Sequence, residues 1–484
     1  MSIERNLLNF LSETDSLMKN LDEIPHSPAV ELYNLMDGIA KNATFNIKKI
    51  NPEIRVVICA RQDKVLDRIL DTLPPEHFLS YKAAGVYTPS VQGYRRWKNA
   101  ELLKDKGLTG YMLAETINAT STMYFGTKEE DYPYLKLLPN FNMLYNQENP
   151  GNPDPFYEHL QTEYKKMDIV ILNGRYSYTE NFLELYRELR PDGKVYCGLD
   201  MNSDWMEKID WSSEATQRFA GQCDVIATSC TYLMDKLNHN PNVNFPCRFL
   251  SNGFFNATGD KVVADAKKKK NVILTVGRLG TAQKNNAELL VGFAKAADAL
   301  PNWSVRLVGS IEPDFQNFVN EYHAAFPYLK DRVILTGPIT DKKQLYKEYS
   351  EAKIFALTSQ FEGGPNVFAE ALVHGCKFIT SDIDAADDII GFGELGLKYT
   401  LKDTNALANG LIELANNCTE QEMESHIPKA LRYANKHFDA TRNAEKLAYM
   451  LYNKKSHRAL SPDGITLKPS TLQAFVQIPP KRGR

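Results

Sequence analysis

A chain of 484 residues is too long for one hydrophobic core and implies two or more domains. With 43% hydrophobic and 24% charged residues the composition is that of an ordinary globular protein, and a net charge of −3 leaves no electrostatic footprint for nucleic acid. No apolar run is long enough to span a membrane, the acidic N-terminus lacks a signal-peptide core, and seven cysteines without paired spacing predict reduced thiols in a cytoplasm.

Residues 1–50 predict a helical extension. Leu7, Leu8, Leu11, Met18 and Leu21 recur at near-helical spacing, and a second run covers 29–39. The acidic polar face suits a cap on the first domain better than an anionic bilayer. The run Arg-Val-Val-Ile-Cys-Ala at 55–60 reads as a short buried strand that opens an α/β domain over 51–262, followed by a polar helix at 64–73. Residues 85–150 show few periods. Tyr87, Tyr94, Trp97, Tyr111 and Tyr124 either line a substrate groove or pack a loop-rich edge, and 131–134 and 149–155 read as loops. Buried strands follow at 167–172, 194–199 and 224–229, with helices at 181–189 and near Tyr232. Asp200 and Asn202 stand at the carboxyl end of a strand, where an open α/β sheet faces its ligand crevice; the alternative is that Ser203 or Asp204 merely caps the next helix. Cys223 and Cys230 form no metal-ligand pattern with His239 and read as core thiols.

Residues 256–270 end in Lys267 to Lys270 and read as a solvated linker. From 263 to 430 the pattern alternates cleanly. Strands are readable at 272–276, 305–308, 333–336, 354–357, 377–380 and 397–399, and helices at 286–300, 315–325, 343–352 and 365–374. Alternation of this kind predicts a doubly wound, mostly parallel sheet. Helices at 402–416 and 420–453 follow, and 455–484 reads as a flexible basic tail.

The segment from Ser359 to Gly375 organises the second half. An apolar strand runs through the Gly363-Gly364 turn into a helix whose first turn suits Pro365, whose buried stripe is Val367, Phe368, Ala371 and Leu372, and whose end is Gly375. Unpaired N–H groups and the helix dipole at such a start form an anion site. Glu362 and Glu370 flank it, and a carboxylate beside an anion site is suited to a sugar or ribose hydroxyl.

Two glutamates eight positions apart around Phe-Glu-Gly-Gly-Pro resemble the Glu-x7-Glu element of retaining family-4 glycosyltransferases with the GT-B fold. The upstream segment with Gly277-Arg278-Leu279 and Lys284-Asn285 is similar to a second element of that family, and Gly309-Ser310 and Gly337-Pro338 stand where further landmarks belong. The segment 249–254, Phe-Leu-Ser-Asn-Gly-Phe, resembles the family's close of the first domain. The resemblance implies two Rossmann-like domains facing a cleft: 51–262 for the acceptor and 263–430 for the nucleotide-sugar donor, with a helix at 431–454 returning to the first. It implies transfer of a sugar, as a hexose, from a nucleotide-diphosphate sugar to a hydroxyl on a glycan, lipid-linked or protein acceptor, with retention. Arg278, Lys284 and Glu362 are the catalytic candidates. Gly277, Gly309, Ser310, Pro338, Ile339, Gly363, Gly364, Pro365, Asn366 and Glu370 are the donor-binding candidates, with Asp200 and Asn202 on the acceptor side.

No metal or other cofactor is expected, since Arg278 and Lys284 supply the positive charge and no Asp-x-Asp element marks a metal–diphosphate site. The family's glycine-rich loop after the first strand has no counterpart at 60–63, where Arg61 is a further phosphate candidate. A cytoplasmic location extends to the inner face of the membrane, with membrane or partner-protein contact left open. A catalytically silent subunit that binds a nucleotide sugar or stabilises a partner transferase is the alternative function.

Overall fold

Short apolar strands alternate with amphipathic helices to build two separate parallel sheets. The computed structural model describes residues 3–45, 52–74, 77–78, 90–95, 105–125, 141–145, 154–175, 177–199, 201–256 and 258–452. Asp200, Tyr87, Trp97, the loop at 131–134 and the 455–484 tail lie outside them.

Three helices come first: α1 (Ile3–Lys19), α2 (His26–Phe45) and α3 (Pro52–Leu70). Leu7, Phe10, Leu32, Met36, Ile54, Ile58 and Ile69 are buried with Ile169, Ile171 and Tyr196 of the first sheet, so this layer covers one face of that sheet. The strand expected at 55–60 is instead the first half of α3. The β-branched run invites a strand reading, but Ile54, Ile58, Val65, Leu66 and Ile69 fall on one helical face and are buried. Arg55 then points away from that apolar contact, onto the end of another helix described below. Arg61 is tied to the Leu11 carbonyl and Thr14 hydroxyl of α1, both at 2.6 Å, which takes it out of the phosphate candidates.

The first sheet holds β1 (Ser90–Arg95), β2 (Thr120–Phe125), β3 (Phe141–Tyr145), β4 (Ile169–Asn173), β5 (Lys194–Leu199), β6 (Val225–Thr228) and β7 (Cys247–Phe249). All its pairings are parallel, in the order β3-β2-β1-β4-β5-β6-β7. Its helices are α4 (Asp105–Thr116), α5 (Asp154–Glu163), α6 (Ser177–Leu189), α7 (Ser203–Glu207), α8 (Glu214–Gln222) and α9 (Thr231–His239).

The second sheet has β8 (Lys270–Val276), β9 (Ser304–Val308), β10 (Val333–Gly337), β11 (Ala352–Leu357), β12 (Lys377–Ser381) and β13 (Gly396–Tyr399), again all parallel, in the order β10-β9-β8-β11-β12-β13. Its helices are α10 (Asn286–Ala296), α11 (Pro313–Ala325), α12 (Lys342–Glu351), α13 (Asn366–Val373), α14 (Ala386–Ile389), α15 (Thr404–Asn416) and α16 (Glu420–His437). The strand order reverses between β1 and β4 in one sheet and between β8 and β11 in the other. Ligands of doubly wound sheets bind beyond the strand ends at such reversals.

The lysine run between the sheets is only partly solvated. Lys269 is buried, its Nζ donating to the carbonyls of Tyr349 (3.1 Å) and Ala352 (2.7 Å), and Lys270 already begins β8. The single helix expected at 420–453 is two: α16 stops at Phe438 and α17 (Ala440–Tyr452) starts beyond it. Phe438 is buried against Phe368 with ring centroids 4.8 Å apart, its carbonyl accepts the Phe254 N–H at 2.7 Å, and Asp439 accepts from the Arg442 N–H at 2.9 Å. From this corner α17 lies back on the first half of the chain, with Tyr449 edge-on to Tyr33 at 5.2 Å and Arg442 paired to Asp71 at 2.6 Å.

Candidate active site

Four loops leave the carboxyl ends of β8, β9, β10 and β11, two of them from the strands that flank the reversal point, and they carry the motifs. Backbone hydrogen bonds tie their tops together: Gly277 N–H to Val308 O at 2.9 Å, Gly309 N–H to Gly337 O at 3.0 Å, and Leu279 N–H to Ser310 O at 2.7 Å. Gly309 is required here. Its φ is +144°, and a Cβ on it would stand 1.7 Å from the Gly277 carbonyl oxygen. Ser310 and Pro338 are exposed, and Ile339 is half-buried against the main core.

The loop after β8 is braced against the loop after β11. The Thr358 hydroxyl donates to the carbonyls of Lys284 and Asn285, each at 3.2 Å, and the Gln360 N–H donates to Gln283 O at 2.7 Å. The Gln283 side chain spans the two, donating to Phe361 O at 3.2 Å and accepting from Arg278 at 2.9 Å. Asn286, at the start of α10, accepts the Gly280 N–H at 2.9 Å and fixes the near end. Within this frame Lys284 Nζ meets Glu362 Oε1 at 2.5 Å, and Ser359 donates to the same oxygen at 2.8 Å. Glu362 is 8% exposed, whereas Arg278 extends into solvent. A largely buried lysine, an exposed arginine and a buried carboxylate are thus carried by the loops at the ends of β8 and β11.

Helix α13 begins one residue later than expected, with Pro365 as its N-terminal boundary residue, and ends on Gly375 at φ +72°. Its first turn faces the other half of the chain. Ser229, Ser251, Asn252, Gly253 and Asp388 line a small cavity with Gly364, Pro365 and Asn366. A Cβ on Gly363 would meet Met201 O at 2.7 Å and one on Gly364 the Ser229 Cβ at 2.6 Å, so the glycine pair lets the two halves close on each other. Two acids complete the seam. Asp384 accepts the Ser203 N–H at 2.7 Å, and Asp388 accepts the Thr231 N–H and hydroxyl at 2.8 and 2.9 Å. Each caps the first turn of a helix in the opposite half, α7 and α9. Burial pushes the Asp388 carboxyl up to about 7, against the lowering effect of those hydrogen bonds.

Glu370 lies farther along α13 and is 8% exposed. Its Oε2 accepts from the Tyr349 hydroxyl at 2.7 Å and its Oε1 from Lys342 Nζ at 3.3 Å. The cap of α7 is neither Ser203 nor Asp204 but Asn202, whose side chain accepts the Trp205 N–H at 3.1 Å. Of the tyrosines, Tyr111 is buried with Ala440 and Ala444 rather than in a groove. Among the described residues no group of three His, Cys, Asp or Glu side chains stands within metal-binding reach, and no helix is long and apolar enough to cross a membrane.

Sequence reasoning missed Tyr349, Lys342, Ser359, Asn252, Asp384 and Asp388. One signal was available: Lys342 and Tyr349 are seven apart on a helix and therefore share a face.

Comparison with known proteins places this site in context. Residues 270–417 match the family model "Glycosyl transferases group 1". An N-acetylgalactosamine-N,N'-diacetylbacillosaminyl-diphospho-undecaprenol 4-alpha-N-acetylgalactosaminyltransferase of Campylobacter jejuni subsp. jejuni serotype O:2 is 29% identical over 158 residues, 32% of this chain and 40% of that protein. The match therefore spans about two-fifths of the relative's length. Among solved structures, sucrose-phosphate synthase from Thermosynechococcus elongatus superposes with a TM-score of 0.56 at 17% identity, over 75% of this chain and 98% of that one. Anabaena HepE in complex with UDP gives 0.56 at 16% identity, over 76% of this chain and 100% of that one. The chain has the two-domain α/β GT-B fold, and its residues 270–417 are similar to the Glycosyl transferases group 1 model.

Proposed function

We propose that the protein is a retaining hexosyltransferase of the family-4 type, moving a sugar from a nucleotide-diphosphate sugar to an acceptor hydroxyl. The observation that carries this reading is the convergence of Arg278, Lys284 and Glu362 at the β8–β11 reversal, on loops locked together by backbone bonds. Negative charge grows on the diphosphate as the glycosidic bond breaks. Donors already in place where that charge develops lower the barrier without reorganisation. Lys284 offers a point charge, and the guanidinium of Arg278 can fork two phosphate oxygens. Helix α13 adds its N-terminal N–H groups. Glu362 orients Lys284 and stands by the donor sugar, while Glu370 faces the ribose.

Attack from the donor's own face, with a departing phosphate oxygen taking the acceptor proton, gives retention without a protein nucleophile. Arg278 and Lys284 meet the charge requirement, and the reading invokes no metal. The C. jejuni relative is named for a diphospho-undecaprenol-linked substrate. That supports a lipid-linked acceptor here, reached at the inner face of a membrane from the cytoplasm, ahead of a free glycan or a protein.

The test is binding and hydrolysis across a panel of nucleotide sugars, with wild type and Lys284→Ala. Selective binding that needs Lys284, with slow release of free sugar, is expected. Tight binding without turnover on any donor or acceptor would instead make the chain a silent binding subunit, and binding of none would remove the donor reading.

A further inference from the structure

The carboxylate of Glu370 is held unequally. The Tyr349 hydroxyl reaches Oε2 at 2.7 Å from a fully buried position. The tyrosine cannot shift. Its ring stacks on His374 with centroids 5.7 Å apart and 19° between planes, its backbone carbonyl accepts from the buried Lys269 at 3.1 Å, and the His374 Nδ1 is 2.7 Å from the Glu370 carbonyl. Burial and the Glu370 charge both push the phenol well above its usual range, so it remains a donor.

Lys342 on Oε1 is different. Its contact is longer, 3.3 Å, its side chain is 15% exposed, and it starts α12 directly after the loop that carries Pro338 and Ile339. One oxygen is therefore held by a buried, packed phenol and the other by a longer contact from a flexible, partly exposed lysine. A lysine ammonium on a flexible stem rotates away far more readily than a packed phenol.

On the reading that this is a nucleotide-sugar site, we propose that Tyr349 is a positioning residue that aims Glu370 Oε1 at the ribose diol of the donor, and that Lys342 holds that oxygen until the diol displaces it. A carboxylate with one oxygen already satisfied presents its other as an acceptor of fixed direction. A diol fills that acceptor, and a nucleoside lacking a hydroxyl leaves it short of a partner in a poorly solvated place. The pair thereby selects ribonucleotides over deoxyribonucleotides, by the penalty for leaving a polar group unpaired.

The test is calorimetric titration of the ribonucleoside diphosphate the protein prefers and of its 2′-deoxy and 3′-deoxy counterparts. Wild type is expected to favour the ribose form by about tenfold or more. Tyr349→Phe keeps the ring and its stacking and is expected to weaken ribose binding by about tenfold while leaving the deoxy forms unchanged, so the preference collapses. Lys342→Met is expected to tighten ribose binding by roughly threefold, because no ammonium has to leave. Equal weakening of ribose and deoxy forms by Tyr349→Phe, or looser ribose binding by Lys342→Met, would overturn the inference. Wild type that binds ribose and deoxy forms alike would overturn it and leave the donor site standing, whereas wild type that binds no nucleoside diphosphate would remove the donor site and this inference with it.

Discussion

Lys284 and Glu362, 78 positions apart, meet at 2.5 Å with side chains only 16% and 9% exposed. The cation best placed for a diphosphate is thus already engaged by an internal carboxylate. On the proposed reading a donor phosphate would compete with this carboxylate for one ammonium, while Ser359, 2.8 Å from the same Glu362 oxygen, would keep the carboxylate in place.

Two variants separate these roles. Lys284→Met is expected to lower kcat by about a hundredfold, the usual effect of removing one preorganised donor to developing charge. Glu362→Gln frees the ammonium and is expected to tighten binding of the nucleoside diphosphate product while turnover falls. Product affinity and kcat measured side by side decide it: a Glu362→Gln protein that binds product more weakly would mean that the carboxylate is not competing for Lys284.

The seam between the two halves is built from backbone approach as much as from side chains. Gly363→Ala places a methyl 2.7 Å from Met201 O, which forces the halves apart at the site while leaving each sheet intact. Activity is expected to fall by about tenfold or more, as reacting groups shift by about an ångström, with an unchanged circular dichroism spectrum. Gly221→Ala is the control. Nothing lies within 4 Å of a Cβ there, in α8, so stability should rise by up to about 1 kcal/mol with activity unaltered.

Much of the second half was legible because each buried parallel strand is a near-continuous apolar run, as in Lys270–Val276 and Ala352–Leu357, and each motif loop directly follows one. Strands β1 to β3 were not. Ser-Val-Gln-Gly-Tyr-Arg and Thr-Ser-Thr-Met-Tyr-Phe carry too many polar residues to announce a buried strand, and their pairing is set by long-range register. The arginine, lysine and glutamates of the candidate site were readable through the resemblance of their motifs to a glycosyltransferase family. What holds them was not, because Tyr349 reaches Glu370 from another helix, and Asp388 reaches Thr231 across 157 positions. Contacts of that kind leave no local period.

Acidification sets two effects against each other. His374 and His426 are buried neutral, and burial lowers both to about 4. Their folded values lie below the unfolded 6.5, so the unfolded chain binds more protons between roughly pH 6.5 and 4, and stability falls over that window by about 3 kcal/mol for each. Asp388 runs the other way. Its folded value of about 7 lies above the unfolded one, so the folded state binds more protons between about pH 4 and 7, and protonation adds stability as pH falls. His437, also lowered by burial to about 4, joins the histidines, and Asp63, raised by burial to about 6, joins Asp388. Three histidines outweigh two aspartates, and denaturant midpoints should drop from pH 7 to pH 4.5. Asp388→Asn removes one of the opposing effects: it should stabilise the protein at pH 8 and steepen the loss in acid. A shallower acid profile in that variant would show that Asp388 is ionised throughout.

The misread segment at 55–60 yields the sharpest stability prediction. As part of α3, Arg55 is buried, and its guanidinium donates to the carbonyls of Asn238 (2.5 Å), Asn240 (2.7 Å) and Val243 (2.7 Å), at and just past the C-terminus of α9. A cation there meets the negative end of the helix and satisfies carbonyls that have no partner within it. The N-terminus of the same helix is where Asp388 binds Thr231, so α9 is clamped at both ends, by the helical layer at one and by the second half of the chain at the other. Arg55→Met keeps the length and removes every donor. Leaving the buried Asn238 and Val243 carbonyls without this donor is expected to cost about 3 kcal/mol. Arg55→Lys restores a charge but reaches fewer of the carbonyls, and should recover less than half of the loss. Hydrogen exchange in α9 is the decisive measurement: in Arg55→Met its last-turn amides should lose protection before those of β5 and β6, whereas uniform loss across the first sheet would show that Arg55 supports the whole layer rather than the end of one helix.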